Sequence, residues 1–236
     1  MKKIAHFILC TVFFCHAAFP QSKVTAERLG DKIDIKIDGN LFTSYILSDF
    51  EKYPFFYPVN GPSKASVTSM RNANYPHHSS LFFGCDRVNG GNYWQEGIER
   101  GQIISLRADI IESGSERVAI ENECIWRRPG ADAPIKDKRT IIVSAPSKDK
   151  FQIDFDITME MLMDVVIEKT NHSLFSGRID PDLAVTNGGT MINAEGDTGE
   201  KDTFGKRSPW IDCHGKRLGK TEGIAILQHP SNAWSN

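Results

Sequence analysis

The chain of 236 residues has a net charge of −2, with 40% hydrophobic and 25% charged residues. These values describe an ordinary globular chain, long enough for one large domain or two small ones. They exclude the strongly basic composition that nucleic-acid binding requires, so no nucleic-acid partner is expected. After the first residues, no segment is apolar enough to predict a membrane span.

The N-terminus has the pattern of a secretory signal peptide. Two lysines precede the apolar run IAHFILCTVFF, and two alanines follow it. This order predicts a signal peptide over residues 1–18, cleaved near Ala18, and a periplasmic or extracellular protein. An N-terminal membrane anchor is the weaker alternative, because the run is short and interrupted by His6 and His16.

Three cysteines remain after the leader is removed, and their pairing is open. Cys85, Cys124 and Cys213 cannot all pair with one another, and their spacing matches no zinc knuckle. We expect buried, small apolar side chains, with one disulfide as the alternative. Neither a metal ion nor a cofactor is expected.

Alternating apolar and polar residues predict β-strands through much of the chain. In FQIDFDITM, residues 151–159, the odd-numbered apolar side chains face one way and the polar ones the other. ERVAIENECIW repeats the pattern, and so does GQIISLRADII, which assigns Leu106 to the core. Shorter strand candidates are KIDIKID, SLFFGC, RTIIVSA, LMDVVIEK, GTMINAE and GIAILQH.

Turn residues separate these segments, and long amphipathic helices are not predicted. Clusters such as DGN, VNGGN and TNGGT favour turns. Many strands with turns between them predict an all-β fold, a large antiparallel β-sandwich, as one domain over residues 24–236. The polar, proline-bearing stretch RRPGADAPIKDKR, residues 127–139, is predicted to be a loop between strands.

Two adjacent histidines follow a proline in YPHHSS. Pro76 restricts Tyr75 to an extended conformation, so the histidines are expected to enter a strand. In a strand, His77 and His78 would point to opposite faces, and we expect His78 to be the one that lines a pocket. Two hydrogen-bonded loop histidines are the alternative.

A second histidine segment, KTNHSLFSGRI, resembles a known motif. It is similar to the Asn-His-Ser/Thr-aromatic-Phe motif of aldose 1-epimerases, the galactose mutarotases, through Asn171, His172, Ser173 and Phe175. Leu174 stands where an aromatic residue is usual, and the next two residues, Ser-Gly, differ from the usual Asn-Leu. The resemblance implies that the motif histidine protonates the sugar ring oxygen and that an upstream histidine, His78 by position, also binds the sugar.

A longer resemblance is to the PmoA-like family, secreted bacterial proteins often labelled "methane oxygenase". The matching pieces are KYPFFYPVNGPSKASVT, YPHH with SLFFG, VNGGNYW, TNHSLF and GIAILQHPSN. The resemblance implies a β-supersandwich of the galactose-mutarotase type. The chain ends at HPSNAWSN, before a further Arg-Tyr-Gly segment, and it has no counterpart of the C-terminal glutamate base. We therefore expect an incomplete sheet at the C-terminus.

The candidate site residues suit a sugar ligand. A hydroxyl-rich ring needs amide, imidazole and guanidinium groups over an aromatic platform. His172 and His78 are the catalytic candidates, because an imidazole can exchange protons near neutral pH. The binding candidates are His77, Asn89, Asn92, Trp94, Asn171, Arg178 and His229. Trp94, Tyr93 or Trp210 is expected to stack on the sugar ring; the alternative for Trp94 and Trp210, which burial tendency favours, is a place in the core. For Arg178 the alternative is an ion pair with Asp180 or Asp182.

Three functions are open at this stage. The first is a carbohydrate-active protein of epimerase, hydrolase or lyase type that acts on a small-molecule or oligosaccharide ligand. The second is a carbohydrate-binding or structural module without chemistry. The third is a copper or other metal oxygenase, with His77, His78, His172 and His229 as its only ligand pool. Glu195 and Glu222 are candidates for the missing base by elimination alone.

Overall fold

The computed structural model describes residues 22–232 apart from positions 74, 96 and 171, and only the backbone of Ser173. The expected signal peptide and Asn171 therefore lie outside the described residues. Within the described ranges, no helix combines the length and apolar character needed to cross a bilayer.

A six-stranded antiparallel sheet, the main sheet, forms one layer of the fold. Its strand order is β1-β2-β3-β4-β7-β12. The bounds of these strands are β1 Val24–Leu29, β2 Lys32–Ile37, β3 Asn40–Ile46, β4 Phe55–Val59, β7 Leu81–Cys85 and β12 Ser173–Gly177. All neighbouring pairs are antiparallel, and the tight turns between the first three strands keep them adjacent.

A four-stranded antiparallel sheet, the opposing sheet, forms the second layer. Its order is β11-β10-β9-β8, and it contains the longest strands. The bounds are β8 Gln102–Glu112, β9 Arg117–Arg128, β10 Ala131–Ser147 and β11 Lys150–Met161. Its outward face is charged, with Lys136 near Glu123 and Lys138 near Glu121 across β9 and β10. Such exposed ladders indicate a solvated face.

The hydrophobic core fills the space between the two sheets. Ile33 and Ile35 of the main sheet and Ile120 and Ile141 of the opposing sheet are all fully buried in one cluster. Aromatic rings join the layers as well, as when Phe56 meets Phe155 edge-on at 5.9 Å. The expected antiparallel β-sandwich is confirmed.

Smaller elements pack around the sandwich. Three strands form the outer sheet, and two form a short ribbon. Their bounds are β13 Thr190–Asn193, β14 Trp210–Arg217 and β15 Lys220–Leu227 for the outer sheet, and β5 Met70–Asn72 and β6 Tyr75–Ser79 for the ribbon. In the part of the chain that the structure describes, the single α-helix is α1 Gly199–Thr203.

The structure corrects the predicted burial of Leu106 and the predicted strand over residues 162–169. Leu106 is 54% exposed, because an irregular register between Ser105 and Arg107 interrupts the alternation of β8. Residues 162–169 are irregular, with one isolated bridge from Ile167 to Val88. The β-branched composition favoured a strand, but the segment runs over the surface as the connection between β11 and β12.

The predicted loop over residues 127–139 is also wrong. Only the turn after Arg128 is irregular, and β10 begins at Ala131. Pro134 lies where the pairing of β10 with β9 shifts between Ala131 and Ile135, so the strand does not need its missing backbone N–H. Two of the polar residues that suggested a loop, Asp137 and Arg139, are buried inside the sandwich.

Two of these residues form an ion pair inside the core. Arg139 and Asp137 are fully buried, and the guanidinium donates to both carboxylate oxygens at 2.8 and 3.1 Å. The Trp126 indole N–H donates to the same carboxylate at 2.7 Å, and Arg139 donates to the Tyr45 hydroxyl at 3.3 Å. Burial raises the pKa of Tyr45 and keeps its hydroxyl protonated, so it can donate to Asn122. The buried charges are thus satisfied as a network.

The three cysteines described by the structure are free thiols. All three are buried, and burial raises the pKa of Cys85 to about 11 and that of Cys124 to about 12. Burial also raises the pKa of Cys213. The expectation of buried, apolar thiols is confirmed, and the alternative disulfide does not form.

Candidate functional site

An Asp-His pair lies where β7 ends and β12 begins. The two strands are paired with Cys85 opposite Ser173, so the residues just outside them, Asp86 and His172, are adjacent. The Asp86 amide N–H donates to the His172 carbonyl at 3.4 Å, and His172 Nδ1 lies 3.2 Å from Asp86 Oδ2. Asp86 is buried and His172 is partly exposed. The carboxylate therefore fixes the ring orientation and leaves Nε2 for other contacts.

The ribbon brings both of its histidines to the same place. The rings of His77 and His78 are 4.4 Å apart, and they lie 5.7 and 5.5 Å from the Trp94 ring. The expectation that they face opposite sides of a strand is therefore wrong. The ribbon has only two short strands, with a register shift between Met70 and Asn72, and such ribbons twist too strongly to separate neighbouring side chains cleanly.

Trp94 connects the ribbon histidines to His172. Its ring centroid is 4.6 Å from that of His172, with 30° between the planes. Its indole N–H donates to Ser176 Oγ at 3.1 Å. The side chains of His77, His78, Trp94 and His172 are called the histidine cluster below.

Arg178 lies beside the cluster. Its guanidinium carbon is 4.2 Å from the centre of the Tyr75 ring, a cation–π contact. The Tyr75 ring in turn stacks on His78, with centroids 4.9 Å apart and planes 1° from parallel. The possible partner Asp180 is bound by Arg217 at 2.8 Å instead.

Asn89 and Asn92 use their amides to hold the backbone. Asn89 accepts from the Val166 N–H at 2.8 Å and donates to the Asp164 carbonyl at 3.0 Å. Asn92 is buried, and its Oδ1 accepts from the backbone N–H of Trp94 at 3.0 Å and of Gln95 at 2.9 Å. Asn92 thus shapes the turn that presents Trp94.

Other candidates lie outside the cluster. His229 follows β15 at the chain's end and bonds Ser231 Oγ at 2.7 Å. Glu222, considered as a base, accepts hydrogen bonds from the backbone N–H and the hydroxyl of Ser63 at 3.0 and 2.8 Å. Tyr93 is buried in the core against Trp126, and Trp210 lies on the outer sheet.

Left-handed backbone conformations occur two residues after each histidine segment. Ser80 has φ +60° and follows His78, while Leu174 has φ +60° and follows His172. Such conformations cost roughly 1–3 kcal/mol for a residue with a side chain. The Ser80 turn is held by a 2.7 Å hydroxyl contact with Thr68 in the interior. The fold thus tolerates strain at the two places that set the imidazole positions.

The cluster favours uncharged imidazoles. Burial, the neighbouring His77, Arg178 and His172 together lower the pKa of His78 to about 4. Burial and then His172 lower the pKa of His77 as well. Both rings are therefore neutral at physiological pH and can accept hydrogen bonds through one nitrogen each.

Protein stability should fall when the pH drops through the titration range of His78. An unfolded imidazole binds its proton near 6.5, but the folded ring does so only at about 4. Between these values the unfolded state binds more protons, so acid lowers the free energy of unfolding. NMR titration of the ring proton measures the folded pKa, and unfolding in urea measures stability. The free energy of unfolding should depend less steeply on pH in His78→Gln than in the wild type. A folded-state pKa of His78 near the ordinary value would contradict this prediction.

Asp86 is a residue of this site that the sequence does not predict. It follows directly after the buried segment SLFFGC, and an acidic residue that ends a buried strand is the only signal it offers. Among the residues that the structure describes, no group of three or more His, Cys, Asp or Glu side chains is arranged to hold a metal ion.

The fold and the histidine cluster together define the class of protein. It is an antiparallel β-sandwich with an imidazole-rich site at one end of its main sheet. A family model described as "Family of unknown function (DUF6807)" matches residues 32–236, and the chain belongs to this family. No curated protein matches the chain. No solved structure matches it either.

Proposed function

We propose that this is a secreted carbohydrate-binding protein in which the histidine cluster receives a sugar and His172 transfers a proton. The observation that carries the proposal is the meeting of three imidazoles with Trp94, with a buried carboxylate behind His172. The resemblances of the sequence to the galactose-mutarotase motif and to the PmoA-like family support this proposal.

The chemistry follows from the roles of the two nitrogens of His172. When Nδ1–H donates to Asp86, the neutral ring has its lone pair on Nε2 and can accept a proton from a sugar hydroxyl. The resulting imidazolium is stabilised by the carboxylate and gives the proton to the ring oxygen as the bond between that oxygen and the anomeric carbon breaks, which leaves an open-chain aldehyde. Proton exchange of this kind opens and closes a hemiacetal, which supports an epimerase activity.

His77, His78 and Trp94 supply the binding surface. The neutral imidazoles can accept from and donate to hydroxyl groups, which is the pattern that a sugar ring requires. Trp94 is largely buried, so its ring mainly supports the imidazoles. Ser176 and Asn92 hold that ring in place.

The test compares binding and anomer interconversion in wild type and His172→Gln. Thermal shifts measure sugar binding, and polarimetry measures anomer interconversion. The wild type should show both, and the variant should lose interconversion. His214→Gln is the matched control, because His214 also bonds a carboxylate, Asp212 at 2.8 Å, but lies on the outer sheet. A broad panel of sugars that produces no response would contradict the proposal.

Binding without chemistry is the second candidate. It is favoured because Glu222, the candidate base, is engaged by Ser63 and lies 3.9 Å from Arg217. In this case sugar binding survives in His172→Gln, and neither protein interconverts anomers. Turnover that the variant abolishes would reject this second candidate.

A further inference from the structure

Arg178 is a cation without a carboxylate partner in the described part of the chain. Arg217 shows the contrast, because it is paired with Asp180 at 2.8 Å and lies 3.9 Å from Glu222. Arg178 instead lies over Tyr75, and its buried Nε has no hydrogen-bond partner among the described residues. A guanidinium that is partly withdrawn from water normally faces an anion.

The same phenol ring covers a second unsatisfied atom. His78 Nδ1 is buried and has no hydrogen-bond partner within the described ranges. Tyr75 stacks on this imidazole and contacts Arg178. Tyr75 is itself 41% exposed and is carried by the two-stranded ribbon. An outward movement of Tyr75 would therefore uncover both polar atoms together.

The charged groups that act on His78 are a guanidinium and two imidazoles. Arg178, just after β12, and His77 and His172 on the neighbouring elements all disfavour a proton on His78. A nearby carboxylate, Asp86, is buried and contacts His172. A ligand carboxylate would supply the negative charge that the Arg178 side of the site lacks.

We infer that the site takes a sugar acid, a sugar that carries a carboxylate, with this group bound by Arg178 and His78 beneath the displaced Tyr75. The planar guanidinium can bind a carboxylate through two parallel hydrogen bonds. The sugar ring would then lie against the remaining side chains of the histidine cluster. This inference rests on the proposed function and specifies its substrate class.

Carboxylate binding is coupled to proton uptake. The ligand's charge opposes the repulsion that His78 receives from Arg178, His77 and His172, so it raises the pKa of His78 in the complex. Affinity for the sugar acid should therefore rise as the pH falls below neutrality towards the pKa of His78 in the free protein, about 4. Affinity for a neutral sugar lacks this charge coupling and should change less.

The experiment measures sugar affinities by calorimetry in two sets. Galacturonate is compared with galactose and with its own methyl ester, and glucuronate is compared with glucose. We expect each acid to bind about tenfold or more tightly than its neutral partners. The Arg178→Gln variant should lose this preference, while Arg117→Gln should retain it. Arg117 is an exposed arginine at the start of β9 and serves as the charge-matched control. Thermal melting of both variants checks that they are folded.

The outcomes separate the two proposals. Equal affinity for acid and neutral sugars overturns the carboxylate inference and leaves the proposed function standing. Absence of binding by every sugar overturns both. If acetate binds as tightly as the sugar acids, or if the acid preference persists in Arg178→Gln, the assignment of a sugar acid to Arg178 is wrong.

Discussion

Replacement of Asp137 by alanine is expected to lower the free energy of unfolding by about 3–5 kcal/mol. The variant leaves Arg139 buried between the sheets without its carboxylate, and the Trp126 indole N–H loses its acceptor. An unpaired buried charge is far more costly than the loss of an exposed ion pair. Urea unfolding followed by tryptophan fluorescence measures the difference.

The Asp109→Ala variant is the control for this prediction. Asp109 pairs with Arg107 on the same opposing sheet, but both side chains are exposed. Its loss should change stability by no more than about 1 kcal/mol. Similar losses in the two variants would show that the buried pair has no special role in the sandwich.

The second large effect is expected at the Asp-His pair. His172→Gln should reduce anomer interconversion by about 100- to 10,000-fold, because it removes the group that we propose exchanges the proton. Asp86→Asn keeps the side-chain size but removes the charge that favours Nδ1–H, so it should also lower the rate and shift the pH–rate profile. The pH profile distinguishes this positioning role from a loss of folded protein.

Asp212→Asn provides the comparison for Asp86→Asn. Asp212 makes the same type of bond to His214 on the outer sheet. Its replacement should leave the rate and the pH profile unchanged. If both substitutions had the same effect, or if Asp86→Asn were neutral, His172 would not depend on its carboxylate as proposed.

The sequence was sufficient for the fold class because most strands follow simple alternation. In β9, Val118, Ile120, Cys124 and Trp126 are all buried as the period-two pattern predicts. The predictions for β10 and for Leu106 were wrong because contacts between strands override the period-two pattern there. A buried Asp137–Arg139 pair makes β10 look like a polar loop, and a bulge turns Leu106 outward. Local sequence cannot show that two charges will satisfy each other inside a core.

The site was only partly predictable. His78, Trp94, His172 and Arg178 were candidates, and the structure brings them together. Asp86 was not a candidate, because its contact with His172, 86 residues away in the chain, depends on the pairing of β7 with β12. Long-range strand pairing of this kind is set by the whole sheet and has no local signal.

The proposed function depends most directly on whether a sugar contacts the histidine cluster. NMR spectra recorded during a sugar titration can follow the ring signals of His77, His78 and His172 and the indole N–H of Trp94. These four should shift together with one dissociation constant, while His214 and Trp210 on the outer sheet remain unchanged. Saturable sugar binding that leaves all four signals in place would contradict the assignment of the sugar to this cluster.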